Sequence, residues 1–176
     1  MHKGLILSIG TALSLGLTTT TQAQFVIPVD SDSDGIPVSF TFFQDTHDAL
    51  LSISWDLDHE AFSPSWGSEL RLDLTHVDSG TLVTMGGGGA VDIDFDWADG
   101  PGLYSSAGTM TAAELGIAIE DTYGDWVVTV FESYDDPIVP DGHIMGTITI
   151  NKVPAPGVIA LLGTAGLVSL RRRRRA

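Results

Sequence analysis

From Val38 onward the apolar residues of this chain recur at every second position, a period that builds half-buried strands and not amphipathic helices. Ser39-Phe40-Thr41-Phe42, Leu51 to Trp55, Glu69 to Thr75, Ala90 to Trp97, Trp126 to Phe131 and Thr147 to Ile150 each alternate, fully or nearly so, over a strand's length. Turn residues separate them: Asp78-Ser79-Gly80, Gly86 to Gly89, Asp99-Gly100-Pro101-Gly102, Gly124-Asp125 and Asp141-Gly142. Trp126 to Phe131 is apolar on both faces apart from Thr129, which predicts a central, well-buried strand. The only helical signal is Ala112 to Leu115, where Thr111 and Glu114 have capping-box spacing, enough for a crossover turn. Many strands and almost no helix make this an all-β chain, an antiparallel β-sandwich with a jelly roll as the expected form.

The domain is one core in size, and it is acidic. Between the ends, Arg71 and Lys152 stand against all 23 acidic residues of the chain, a formal charge of −21 for Gln24 to Pro156. Such a field repels phosphate backbones and anionic lipid, so nucleic acid is excluded as a partner, while cations and neutral ligands are admitted. Solubility is the ordinary use of an acidic surface, and cation binding is the alternative. With no cysteine in the chain there is no disulfide framework, thiol nucleophile or zinc-thiolate site.

Both ends read as addresses. Lys3, the apolar run Leu5 to Leu17 and the small residues Thr21 and Ala23 make residues 1–23 a signal peptide, its helix cut by signal peptidase between Ala23 and Gln24. The apolar run, about 20 Å long as a helix, is too short for a ~30 Å bilayer. Residues 24–37 then read as an acidic linker, 38–152 as the β-sandwich domain and 153–176 as a sorting tail. That tail runs Val153-Pro154-Ala155-Pro156-Gly157, an apolar stretch Val158 to Leu170, then Arg171, Arg172, Arg173, Arg174 and Arg175. The prolines leave an extended peptide, the apolar stretch forms a short membrane helix, and the arginines act as a stop-transfer signal that stays cytoplasmic.

Val153 to Arg175 resembles the PEP-CTERM sorting signal: a proline-x-proline motif, a short apolar helix and an arginine cluster at the C-terminus. The likeness is confined to the tail, and Ala155 stands where the family's name-giving motif has Glu. It implies an exosortase-like membrane enzyme as a partner in transit and a Gram-negative-type bacterium that makes extracellular polysaccharide. The protein would be transiently anchored in the inner membrane, then placed on the cell surface or in the matrix. Within the domain, Ser68 to Thr81 and Gly124-Asp125-Trp126 with Val128, Val130 and Glu132 resemble strands of P-domain-like jelly rolls, the sandwiches appended to subtilisin-type proteases. That likeness implies a fold and an accessory or binding role, without an active site.

Three groups carry candidate chemistry. Asp30, Asp32 and Asp34, followed by Gly35, open like a calcium loop, although Thr41 stands where the closing Glu belongs; a solvated linker is the plain alternative. Asp92, Asp94 and Asp96 alternate with Val91, Ile93, Phe95 and Trp97, which would line three carboxylates along one strand face, meeting either cations or water. Trp66 and Tyr104, placed in loops by the pattern, are the aromatic residues expected to stack on sugar rings, with burial the alternative. His47, His59, His76 and His143 have no zinc spacing, and no catalytic triad can be picked out, so no enzyme is expected. The expectation is a non-enzymatic component of the surface or matrix; the rival is a carbohydrate-binding module, with calcium as the one conceivable cofactor.

Overall fold

The computed structural model describes residues 22–134 and 140–154. The segments expected to form the signal helix and the membrane helix, with Ala155, Pro156, Gly157 and Arg171 to Arg175, lie outside them.

Nine strands follow one another: β1 (Ala23–Ser33), β2 (Val38–Gln44), β3 (Asp48–Ala61), β4 (Leu70–His76), β5 (Thr81–Met85), β6 (Asp92–Ile93), β7 (Gly102–Thr111), β8 (Gly124–Glu132) and β9 (Gly142–Pro154). They form a four-stranded sheet in the order β1-β9-β3-β7 and a five-stranded sheet in the order β2-β8-β4-β5-β6. Every pairing is antiparallel except β5 with β6. The molecule is a β-sandwich, as the period-two pattern requires. Residues alternating inward from both sheets make one core, with Ile27, Ile53, Leu57, Leu72, Trp126, Val130 and Ile148 among the members.

β8 lies between β2 and β4, and its inward residues Trp126, Val128 and Val130 are buried, the placement that its two-sided apolar sequence predicts. The helical signal at Ala112 to Leu115 yields a single turn: Thr111 and Glu114 do cap each other, and Leu115 N–H bonds back to Thr111, but Gly116 ends the turn in a left-handed conformation.

Four readings need correction. The stretch taken as an acidic linker is largely β1, paired residue for residue with β9, because Phe25, Ile27 and Val29 supply an inward face that the aspartates conceal in composition. The sandwich therefore runs from Ala23 to Pro154. Ala90 to Trp97 is not one strand: only Asp92–Ile93 pairs, and Asp96 at φ 52° breaks the extended path. Val153 and Pro154 are extended but paired with Ala49 and Asp48 as the end of β9, so the first two residues of the expected sorting motif are tied to the sheet.

Candidate functional site

At one end of the sandwich the core faces change from apolar to polar in phase. β1 presents Ser33 after Ile27, Val29 and Ser31; β3 presents His59 after Leu57; β8 presents Glu132 after Val130. Ser33 donates to Glu132 Oε1 at 2.7 Å and Ser65, from the β3–β4 connection, donates to Oε2 at 2.6 Å. His59 Nε2 lies 3.4 Å from Ser33 Oγ and 3.7 Å from Glu132 Oε1. Burial pushes the Glu132 carboxyl up, and His59, Ser65 and Ser33 together pull it down by more, holding it below the usual carboxylate range. The group is a buried polar plug in which both Glu132 oxygens are bonded.

Serine, histidine and glutamate are thus together, but not as a hydrolytic relay. In a relay the acid holds one imidazole nitrogen and the nucleophile addresses the other. Here Ser33 and Glu132 both approach Nε2, Nδ1 has no hydrogen-bond partner among the described residues, and His59 and Ser33 are fully enclosed. Trp97 stacks over the imidazole at 5.6 Å between ring centroids. Gly142 closes the plug from β9, where a Cβ would stand 2.6 Å from His59 Nε2 and 2.8 Å from Ser33 Oγ.

Ser65 connects this plug to the surface. The next residues form a 3-10 turn, Gly67–Glu69, with Trp66 before it. Glu69 Oε2 accepts the Trp66 N–H at 2.8 Å and lies 3.2 Å from Ser65 Oγ, while Glu69 O receives Ser133 N–H at 2.8 Å. The backbone is fixed, and the indole is turned out. Trp66 is 45% exposed and Tyr134 63% exposed, and the two line a groove of about 440 Å³ with Pro64 and Glu69. Two aromatic faces beside a carboxylate suit a ring that is apolar on its face and hydroxylated at its edge.

Tyr104, the other aromatic candidate, is not in that groove. It lies on the inward side of β7, half-buried, its ring over Gly67 and its hydroxyl donating to Gly100 O at 2.6 Å. The loop that the pattern suggested there is strand.

On the other side of the turn, Gly67 and Ser68 border a hollow of about 280 Å³ with Arg71, Asp94, Asp96 and Trp97. Arg71 Nη1 donates to the carbonyls of Ser68, Leu70 and Gly86 at 2.7 to 2.8 Å. Gly86, Gly87 and Gly88 pass by at φ +87° to +98°, a conformation that glycine adopts freely.

The acidic candidates do not converge. Asp30 and Asp32 project from the outer face of β1 onto His143, with Oδ1 atoms 3.1 Å from Nε2 and 2.9 Å from Nδ1, while Asp34 accepts its neighbour Gly35's N–H at 2.8 Å. β1, not a calcium loop, carries Asp30 and Asp32, and Asp34 follows its end. Asp92 and Asp94 accept the N–H groups of Gly88 and Asp96, so the three carboxylates shape a loop and do not share one strand face. Among the described residues no group of three or more His, Asp or Glu side chains is disposed to hold a metal.

Pattern reading missed Ser33, His59, Ser65, Glu69 and Glu132 as site residues, and it preferred Tyr104 where the structure exposes Tyr134, another of the chain's aromatic residues that could stack on a sugar. The available signal was phase: Glu132 falls on the same face as Trp126, Val128 and Val130, and His59 on the same face as Ile53 and Leu57. A charged group in the inward phase of a buried strand calls for partners at the same level of the sandwich.

No protein-family model matches the chain, and no curated protein does. Among solved structures it is similar to the VP2 subviral particle of infectious bursal disease virus, at TM-score 0.44 and 16% identity over 86% of this chain and 39% of that one. It is also similar to FLHE, at TM-score 0.44 and 13% identity over 78% of this chain and 99% of that one. This chain therefore spans about two fifths of the VP2 chain's length. Among the described residues no helix is long and apolar enough to cross a membrane.

Proposed function

We propose that the domain is a non-enzymatic carbohydrate-binding module of a protein exported to the cell surface or extracellular matrix. The observation that carries this reading is the pair of exposed rings, Trp66 and Tyr134, set over a groove whose polar member is Glu69. A free side chain as large as Trp is ordinarily drawn into a core, and here the surrounding backbone bonds hold it outside. The domain's negative field favours a neutral glycan. We read the sheet β1-β9-β3-β7 facing β2-β8-β4-β5, with the two-residue β6 at its edge, as a jelly roll, an architecture that presents loops of this kind at its ends. The tail's likeness to PEP-CTERM signals supports export and sorting by an exosortase-like enzyme, and the extracellular polysaccharide made by such bacteria is the natural ligand class.

The test is affinity electrophoresis of the purified protein in gels containing neutral polysaccharides. Retardation by at least one, abolished in Trp66→Ala and Tyr134→Ala variants whose stability stays within about 0.5 kcal/mol of the parent, is the expected result. Unretarded parent protein across glucans, mannans and galactans would remove the reading.

A second reading, a structural matrix component that associates edge to edge, has its own observation. β2 carries no charged residue in this acidic domain, stands at the end of its sheet among the described residues, and exposes Val38, Phe40 and Phe43. Light scattering of the parent and a Thr41→Lys variant separates a self-associating edge from an inert one.

A further inference from the structure

We infer that the ligand site continues across the Gly67–Glu69 turn into the Arg71 hollow, so that it grips a linear neutral polysaccharide along at least two consecutive units, not a single terminal sugar; this rests on the carbohydrate reading above. The turn serves two hollows at once. Trp66 and Glu69 line the aromatic groove, and Gly67 and Ser68, between them in sequence, line the other. Residues this close in the chain keep the two hollows within the spacing of neighbouring rings on one glycan strand.

The second hollow has complementary chemistry. Arg71 is the sole arginine among the described residues and uses Nη1 to bind three carbonyls, which fixes the plane of the guanidinium. Its Nε edge runs beside Gly88, where a Cβ would stand 3.5 Å away, so bare backbone leaves this edge open to the hollow. Asp94 and Asp96 bring exposed carboxylates to the same space. Donors on one wall and acceptors on another match adjacent sugar hydroxyls, each of which both gives and takes a hydrogen bond. Trp97, backed by Phe95 at 4.5 Å, supplies an aromatic wall. An acidic sugar fits poorly, because its carboxylate would meet Asp94 and Asp96 in a domain of charge −21. Volumes of about 280 and 440 Å³ lie just below and in the lower part of the roughly 300–1,000 Å³ of typical ligand sites, which suits one ring apiece.

Titration calorimetry with mono-, di- and tetrasaccharides of the glucan and mannan series, and with polygalacturonate oligomers, tests the inference. Asp94→Asn keeps the acceptor for the Asp96 amide, and Asp96→Asn tolerates the positive φ, so the double variant retains the loop. Affinity should rise roughly tenfold or more from mono- to tetrasaccharide, the double variant should lose most of that gain, and Trp66→Ala should weaken every length. Equal affinity at all lengths, an unchanged length profile in the double variant, or preference for polygalacturonate overturns the two-unit site and leaves the carbohydrate reading standing. No binding by any saccharide removes both.

Discussion

Ser65 donates its hydroxyl to Glu132 Oε2 at 2.6 Å, and the next residue, Trp66, stands 45% exposed. A single peptide bond separates the buried polar plug from the surface groove, so the plug's integrity sets the position of the indole. Glu132→Gln keeps the shape but removes the charge that Ser33, Ser65 and His59 surround, and should cost about 1.5–3 kcal/mol, the scale of hydrogen bonds to a charged group. Glu132→Ala strands all three partners and should cost more, about 3–5 kcal/mol.

The same group predicts a pH dependence. Its carboxyl is held below the ordinary value of 4.5 in the fold, so on acidification the unfolded chain takes up this proton first. The contribution is fully present above about pH 4.5 and is lost as the pH falls through the lower, folded value. Urea unfolding of the parent and Glu132→Gln at pH 7 and near pH 3 should show a gap that narrows in acid. A gap of constant size would mean that Glu132 is not the charged member of the plug.

Gly142→Ala tests the packing around the plug from β9. The added methyl would stand 2.6 Å from His59 Nε2, 2.7 Å from Glu60 O and 2.8 Å from Ser33 Oγ, all three on β3 and β1, the strands that flank β9 and cannot yield independently. A loss of about 1–3 kcal/mol is expected, the usual range for overpacking, read from the denaturation midpoint. A neutral substitution would mean that the end of the sandwich breathes.

Trp126 is 1% exposed, donates Nε1–H to Thr122 O at 3.1 Å and meets the His76 ring at 4.8 Å. Trp126→Ala should cost about 3–5 kcal/mol and abolish much of the near-ultraviolet dichroism. A cost below about 1 kcal/mol would place this ring at the surface, against its burial.

How far the sequence speaks depends on whether a residue acts through period or through partners. The strand from Trp126 was legible because alternation and β-branched residues record burial along one segment. β1 was not, because Asp30, Ser31, Asp32 and Ser33 read as solvated linker until β9 is seen to pair with them. Trp66 was legible as a loop aromatic, whereas Tyr104 was misplaced because β7 is rich in Gly, Ser and Thr and scans as loop. The plug joins residues up to 99 positions apart, Ser33 with Glu132, and no local pattern records such a contact.

The aspartates of β1 give the last prediction. Asp30 and Asp32 leave the strand on one face and clasp both nitrogens of His143, and Asp34 turns back to its neighbour's amide, so the carboxylates present separate oxygens where a calcium ion needs six to eight converging ones. Raising calcium to 10 mM should therefore leave the melting temperature where chelator leaves it, provided that sodium chloride holds the ionic strength equal. The control matters because a charge of −21 is relieved by any cation, and screening alone would mimic binding. A ligand of the native state at a hundredfold excess over its Kd adds about 2.7 kcal/mol, a rise of several degrees in a domain of this size. Such a rise with calcium, absent with magnesium at the same ionic strength, would overturn the assignment of these aspartates to His143 and return them to the metal.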